Sequence, residues 1–257
     1  MDNMQKIPVF FTFDANYLLA AKVAIHSMMK HASRQYWYEL YVFHTTLSPK
    51  AQQSLRNSLK EFTHTELHFI DVTQYNEKIK NFGTKAHYSK EIFYKLIATD
   101  VLPQYDRIIC SDVDVVFTGD FSPVFFMFPN EKFYYAGVGP VENSRMPYYR
   151  KDFSTTEMEI LEHEIAAGFL LINLKELRND HKQEEIINFY VNNYPRLRLP
   201  EQDCIILTCW PYIKYLPIDY SLPISFYRLN MNQRDFYQGN TEFAGDKATA
   251  LAKFNKG

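Results

Sequence analysis

The chain has 257 residues, of which 46% are hydrophobic, and a formal net charge of -2. That composition supports a large core and excludes a disordered chain, and the near-neutral charge excludes a generic nucleic-acid binder, leaving room only for a local basic patch. The three cysteines, Cys110, Cys204 and Cys209, lack CxxC spacing, so neither a disulfide framework nor a zinc site is suggested, and a reducing compartment fits them.

The N-terminus, MDNMQKIPVFF, does not read as a signal peptide, and no apolar run approaches the ~18 residues of a membrane span. Ile7 to Phe13 is nearly all apolar, the pattern of a strand buried on both faces of a parallel sheet. Leu18, Ala21, Ile25, Met28 and Ala32 then form one face of a helix. Tyr36 to Thr46 reads as a second strand, and Ser48 with Pro49 marks the start of a second helix. A third strand is expected over Glu66 to Val72, a helix from Ser89 to Pro103, and a fourth strand over Tyr105 to Cys110.

The second half is less regular. Lys132 to Val138 and Ile165 to Asn173 look like strands, and Asp180 to Asn193 like a helix. Alternating strands and helices imply an α/β sheet with helices on both faces. Beyond Pro217 periodicity weakens, so the expected division is a main domain over residues 1–217 and a C-terminal appendage over 218–257.

In such a sheet, ligands bind outside the carboxyl ends of the strands. FDANY (Phe13 to Tyr17) follows the first strand and SDVDVVF (Ser111 to Phe117) the fourth. Alternation puts Asp112 and Asp114 on one side, with Val113 turned away. Two carboxylates at a strand end are a minimal Mg²⁺ or Mn²⁺ site, and equally an ordinary solvated turn. No glycine-rich phosphate loop is present, which favours a metal as the partner of any diphosphate. Asp14 or Asn16 has a plainer role as a helix cap. Lys95 lies four residues after Glu91 and could form a surface ion pair, His87 could be a solvated loop histidine, and the acids of EQDC (Glu201 to Cys204) could serve the helix dipole.

Taken in order, FDANY, HYSKEIFYKL, YDRIICSDVDVVF, AAGFLLINLKELR and PEQDCI closely resemble glycosyltransferase family 8 over about residues 7–210. The resemblance implies a GT-A fold, Rossmann-like with a mostly parallel sheet, and retaining transfer of galactose or glucose from a UDP-sugar to an oligosaccharide or lipid-linked saccharide hydroxyl. It implies Mn²⁺ or Mg²⁺ on Asp112 and Asp114, uracil at Asp14, Asn16 and Tyr17, and a main-chain contact at Thr12. His87 and Lys95 match the segment meeting diphosphate and sugar, Val113 lies against the ribose, Ala167 and Gly168 lie against the donor sugar, and Glu201 and Gln202 sit beneath it. Lipopolysaccharide synthesis, a cytoplasmic location and peripheral contact with the inner face of the membrane follow from the same precedent.

Four departures stand out. Lys95 replaces the usual Arg, Ala166 the usual Asn and Glu201 the usual Asp. The terminal His-x-x-Gly-x-Lys-Pro-Trp segment, whose His is a third metal ligand, has no counterpart in AKFNKG; the expectation is a truncated chain or a metal with one ligand fewer. These departures keep a second expectation open, a sugar-nucleotide-binding protein with little transferase activity.

Overall fold

A computed structural model describes residues 4–80, 89–139 and 151–221. Seven strands form one sheet in the order β3-β2-β1-β4-β6-β5-β7. They are β1 (Lys6–Thr12), β2 (Trp37–His44), β3 (Thr65–Asp71), β4 (Arg107–Ser111), β5 (Tyr135–Val138), β6 (Phe169–Asn173) and β7 (Ile213–Leu216). β1, β2, β3 and β4 run parallel, as do β5 and β7, whereas β6 is antiparallel to both β4 and β5.

The sheet is buried on both sides because its strands are apolar in both phases. Ile7, Val9 and Phe11 of β1 join one core with Leu40 and Val42 of β2. On that side lie α1 (Leu18–His31) and α2 (Pro49–Ser58), which contribute Ala21, Ile25 and Leu55. Phe10, in the opposite phase, joins Phe93, Ile108, Cys110 and Leu170 in a second core, and its ring stacks on Phe43 at 4.8 Å. The helices of that side include α5 (Thr155–Leu161), α7 (Lys182–Asn193) and α8 (Pro200–Cys209), together with a 3-10 segment, Lys90–Ile97. Each buried Leu, Ile or Phe side chain contributes about 1.5–3 kcal/mol, which makes two such layers the main stabilising term.

Four expected elements come out differently. The helix expected from Ser89 is a 3-10 run over Lys90–Ile97 followed by the single turn α4 (Ala98–Val101). The helix expected over Asp180 to Asn193 begins only at Lys182, because His181 takes a left-handed backbone (φ 52°) and separates α7 from α6 (Leu174–Asn179). The strands expected from Lys132 and Ile165 begin at Tyr135 and Phe169, the preceding residues being used in turns and approach. Further unexpected elements are α3 (Asn76–Ile79), β7 and α5, the last opened by a capping box in which Ser154 and Glu157 bond each other's backbone. The appendage expected from Ile218 lies, beyond Ser221, outside the described residues. Just before that limit, the ring of Tyr220 stacks on Phe169 at 6.1 Å.

β1 has β2 on one side and β4 on the other, so the order reverses there and a crevice opens at the carboxyl ends. The β1–β4 pairing is short, Val9 with Ile109 and Phe10 with Cys110. Phe13–Tyr17 and Asp112–Asp114 leave the sheet on either side of that opening. The three cysteines are all free and buried, and burial pushes the Cys110, Cys204 and Cys209 thiols up, so they pack as neutral groups. Among the described residues, no helix is long and apolar enough to cross a membrane.

Candidate active site

At the end of β1, Thr12 is buried and its hydroxyl donates to the Glu91 carbonyl at 2.8 Å, tying the 3-10 segment to the strand. Asp14 then turns the chain. Its Oδ1 accepts from the main-chain N–H groups of Asn16 (2.8 Å) and Tyr17 (3.3 Å), and its Oδ2 from the Asn16 amide (3.2 Å). Asp14 thus caps the 3-10 turn Ala15–Tyr17 that precedes α1, whereas α1 itself starts after Tyr17 without a side-chain cap, and this turn fixes the loop from which exposed Asn16 and Tyr17 project.

At the end of β4, burial alternates as expected: Asp112 is half-buried, Val113 buried in the core and Asp114 exposed. The Asp112 N–H donates to the Gly168 carbonyl at 2.8 Å, carrying the β4–β6 pairing one residue past the strand. A side chain at position 168 would put its Cβ 3.3 Å from Asp112 Oδ2, so glycine leaves that oxygen its space.

Lys95 does not form the surface pair with Glu91. It is only 2% exposed, and its ammonium donates to Asp112 Oδ1 at 2.7 Å, the Ala167 carbonyl at 3.0 Å and Glu201 Oε1 at 3.3 Å. Burial alone would push this ammonium toward deprotonation. The Asp112 and Glu201 carboxylates outweigh it and hold the pKa above the ordinary lysine range, so the group is a permanent cation.

Glu201 and Gln202 come from the first turn of α8, where Pro200 starts the helix. Asp203 folds back, its Oδ2 accepting from the N–H groups of Arg198 (2.6 Å) and Leu199 (3.0 Å), which pins the approach to the helix. The acids of EQDC thus serve specific partners beyond the helix dipole. Glu201 is buried, and among the described residues its Oε2 has no hydrogen-bond partner. Gln202 Oε1 accepts from the Ala167 N–H at 3.2 Å, and its amide nitrogen donates to Glu164 Oε2 at 2.8 Å.

The fold therefore brings Lys95, Asp112, Ala167, Gly168, Glu201 and Gln202 into one hydrogen-bonded cluster at the crevice, with Thr12 anchoring the segment of Lys95. Asp14, Asn16 and Tyr17 stand at its β1 side. His87 and the terminal AKFNKG lie outside the described residues. Glu164 belongs to none of the sequence motifs, since its contact is with Gln202, a residue distant along the chain; Asp203 falls within EQDC, but nothing in that motif announces that it folds back onto Arg198 and Leu199.

Among the described residues, no group of three His, Cys, Asp or Glu side chains is disposed to hold a metal. The donor set that is present still fits a hard divalent ion sharing its shell with phosphate and water: Lys95 orients Asp112 through Oδ1, Gly168 leaves room at Oδ2, and Asp114 is exposed beside it.

Residues 8–244 match the family described as Glycosyl transferase family 8. No match was found among curated proteins. Among solved structures, the bifunctional glycosyltransferase WbbM is similar with TM-score 0.74 and 20% identity, over 98% of this chain and 45% of that one. This chain thus spans less than half the length of WbbM. The galactosyltransferase LgtC, solved with donor and acceptor sugar analogs, gives TM-score 0.70 and 18% identity over 89% of this chain and 80% of that one. Mouse xyloside xylosyltransferase 1 gives 0.67 and 17% over 94% and 95%. These likenesses bear out the α/β GT-A architecture.

Proposed function

The chain belongs to glycosyl transferase family 8, a family of glycosyltransferases, and from that membership we propose that it moves a hexose, galactose or glucose, from a UDP-sugar to a saccharide hydroxyl with retention at the anomeric carbon. The observation that carries the proposal is the buried Lys95 ammonium bridging Asp112 of SDVD and Glu201 of EQDC beside Gly168. It joins in one cluster segments that are otherwise far apart in the chain.

In this reading Asp14, Asn16 and Tyr17 receive the uracil, Thr12 and Val113 the nucleoside, and His87 the diphosphate. Ala167 and Gly168 bound the donor sugar, with Glu201 and Gln202 beneath it. Asp112 and Asp114 would hold Mn²⁺ or Mg²⁺, which when bound offsets charge gathering on the diphosphate. Lys95 acts through its partners, because its three N–H bonds already point at Asp112, Ala167 and Glu201; it sets the carboxylate orientations that the donor meets.

We favour a front-face route. The acceptor oxygen bonds to C1 on the face the phosphate leaves, the C1–O bond electrons go to the phosphate, and the acceptor proton passes to a phosphate oxygen. Glu201 is bound to Lys95 through Oε1 at 3.3 Å, an arrangement that suits an electrostatic role, while its unpartnered Oε2 is the oxygen that a double displacement would use. Glu201→Ala tests this: abolished turnover with donor binding intact would count for double displacement.

The same proposal makes residues 1–217 the catalytic domain and 218–257 an appendage, with a cytoplasmic enzyme meeting an oligosaccharide or lipid-linked acceptor at the inner face of the membrane. Incubation with UDP-galactose or UDP-glucose, Mn²⁺ and a saccharide acceptor tests the whole. UDP release supports the transferase, saturable binding without release supports a sugar-nucleotide binder, and neither overturns the reading.

A further inference from the structure

Glu164 lies between α5 and β6 in HEIAAG and is 6% exposed. A carboxylate in such a position is costly unless hydrogen-bonded. Its place is held from both sides by the main chain: the Glu164 N–H donates to Leu161 O at 3.2 Å, and the Ala166 N–H to Val138 O at 2.8 Å. From that fixed frame Oε2 accepts from the Gln202 amide nitrogen at 2.8 Å.

The other end of the same amide is also determined. The Ala167 N–H can only donate, so the atom it meets at 3.2 Å is the Gln202 oxygen. The carboxylate of Glu164 can only accept, so the atom it meets is the nitrogen. Both partners impose one orientation, and flipping the amide would set oxygen against carboxylate and nitrogen against N–H. One further N–H of Gln202 has no partner among the described residues, and Gln202 itself is half-buried at the crevice. The Ala167 carbonyl in turn receives the Lys95 ammonium at 3.0 Å, so Glu164 stands at the far end of the chain that leads to Asp112 and Glu201.

We propose that Glu164 is a positioning residue that locks the Gln202 amide with its oxygen on the Ala167 main chain, so that Gln202 meets the donor sugar as an N–H donor and not as an oxygen nucleophile. This deepens the transferase reading and rests on it for the identity of the ligand. The locking itself is a property of the protein alone. It explains how the Ala167–Gly168 turn and the first turn of α8, contributed by different elements, keep one geometry against a sugar placed between them.

Two measurements test it. In the ¹⁵N–¹H spectrum of the free protein, the Gln202 side-chain amide, identified by its absence in Q202A, is expected to show one proton shifted downfield and slow to exchange. E164Q should keep that signal, since its amide oxygen can still accept, and E164L should lose it. A wild-type pair at ordinary solvent-exposed positions, or a signal unchanged in E164L, overturns the proposal even if one variant folds poorly. The second measurement is calorimetric binding of UDP, UDP-glucose and UDP-galactose with Mn²⁺. E164L is expected to lose about tenfold in the preference for sugar nucleotide over UDP while its UDP affinity holds, and E164Q to lose little. An unchanged preference in E164L overturns the sugar-facing role. If the wild type binds neither UDP nor sugar nucleotide but its amide signal behaves as expected, the nucleotide-sugar reading falls and the locking of Gln202 by Glu164 stands.

Discussion

The ammonium of Lys95 lies 2.7 Å from Oδ1 of Asp112, buried beneath the carboxyl end of β4, with Glu201 on its other side. An ion pair of this kind adds little over a well-packed apolar substitute, but removing one partner alone strands the remaining charges. Lys95→Met is therefore expected to cost about 3–5 kcal/mol of folding stability by denaturant titration, because two carboxylates would face each other without their cation. A loss well under 1 kcal/mol would show that water or rearrangement replaces the lysine at no cost.

Gly168→Ala addresses the space beside Asp112. The new Cβ would sit 3.3 Å from Asp112 Oδ2, close enough that the carboxylate must give way by a few tenths of an ångström. The expected result is about a tenfold loss of Mn²⁺-dependent UDP affinity with nearly unchanged melting temperature. Calorimetry with and without Mn²⁺ reads this directly, and equal affinity in both chains would remove Gly168 from the site.

Ser154→Ala removes the side-chain half of the capping box that opens α5. Its cost should be about 1 kcal/mol, measured by urea unfolding. Glu157, the other half, also receives the Arg196 guanidinium at 2.6 Å. Hence Ala at position 157 should cost more than Ala at position 154.

Stability should fall on mild acidification. Burial holds the His44 and His64 imidazoles below the ordinary histidine pKa near 6.5, with Asp71 opposing the shift at His44 and Arg34 reinforcing it at His64. The unfolded chain therefore binds protons first as pH falls through about 6.5, and the neutral-state stability present above that pH is lost until the depressed folded pKa is reached. Melting temperatures from pH 8 to pH 5.5 should decline less steeply for His44→Gln than for wild type. Identical slopes would mean that His44 does not contribute.

Glu157 adds a second acidic phase. The Arg196 hydrogen bond lowers its pKa against the smaller effect of burial. The stability it contributes is present above the unfolded carboxylate pKa near 4.5 and is lost as pH falls through the lower folded value. In Glu157→Gln this low-pH component of the decline should disappear.

Much of the fold was legible because its signals are local. Ile7 to Phe13 reads as a doubly buried strand from composition alone and Ser48–Pro49 as a helix start; the structure has both within a residue or two. The capping box at Ser154 is equally local, a serine three residues ahead of Glu157. By contrast, the antiparallel sense of β6 has no local signal, because Phe169–Asn173 buries both faces whichever way it runs. The break at His181 depends on one residue accepting a left-handed backbone, which its neighbours do not announce.

The site divides along the same line. By itself the chain determined which residue types stand at the strand ends: Asp14 after β1, Asp112 and Asp114 after β4, an Ala-Gly before β6 and Glu201-Gln202 at the head of a helix. Order and spacing suffice for that, since a strand's end and a helix's start are properties of a few consecutive residues. Only the tertiary structure decided what each one touches. Lys95 has the spacing of a surface pair with Glu91 and instead lies buried against Asp112, Ala167 and Glu201, and Glu164 acquires its partner Gln202 from another element. Long-range electrostatics drives this choice: a charge removed from water must find its partner wherever packing brings one within about 3 Å, and that distance is not written in the interval between two residues along the chain.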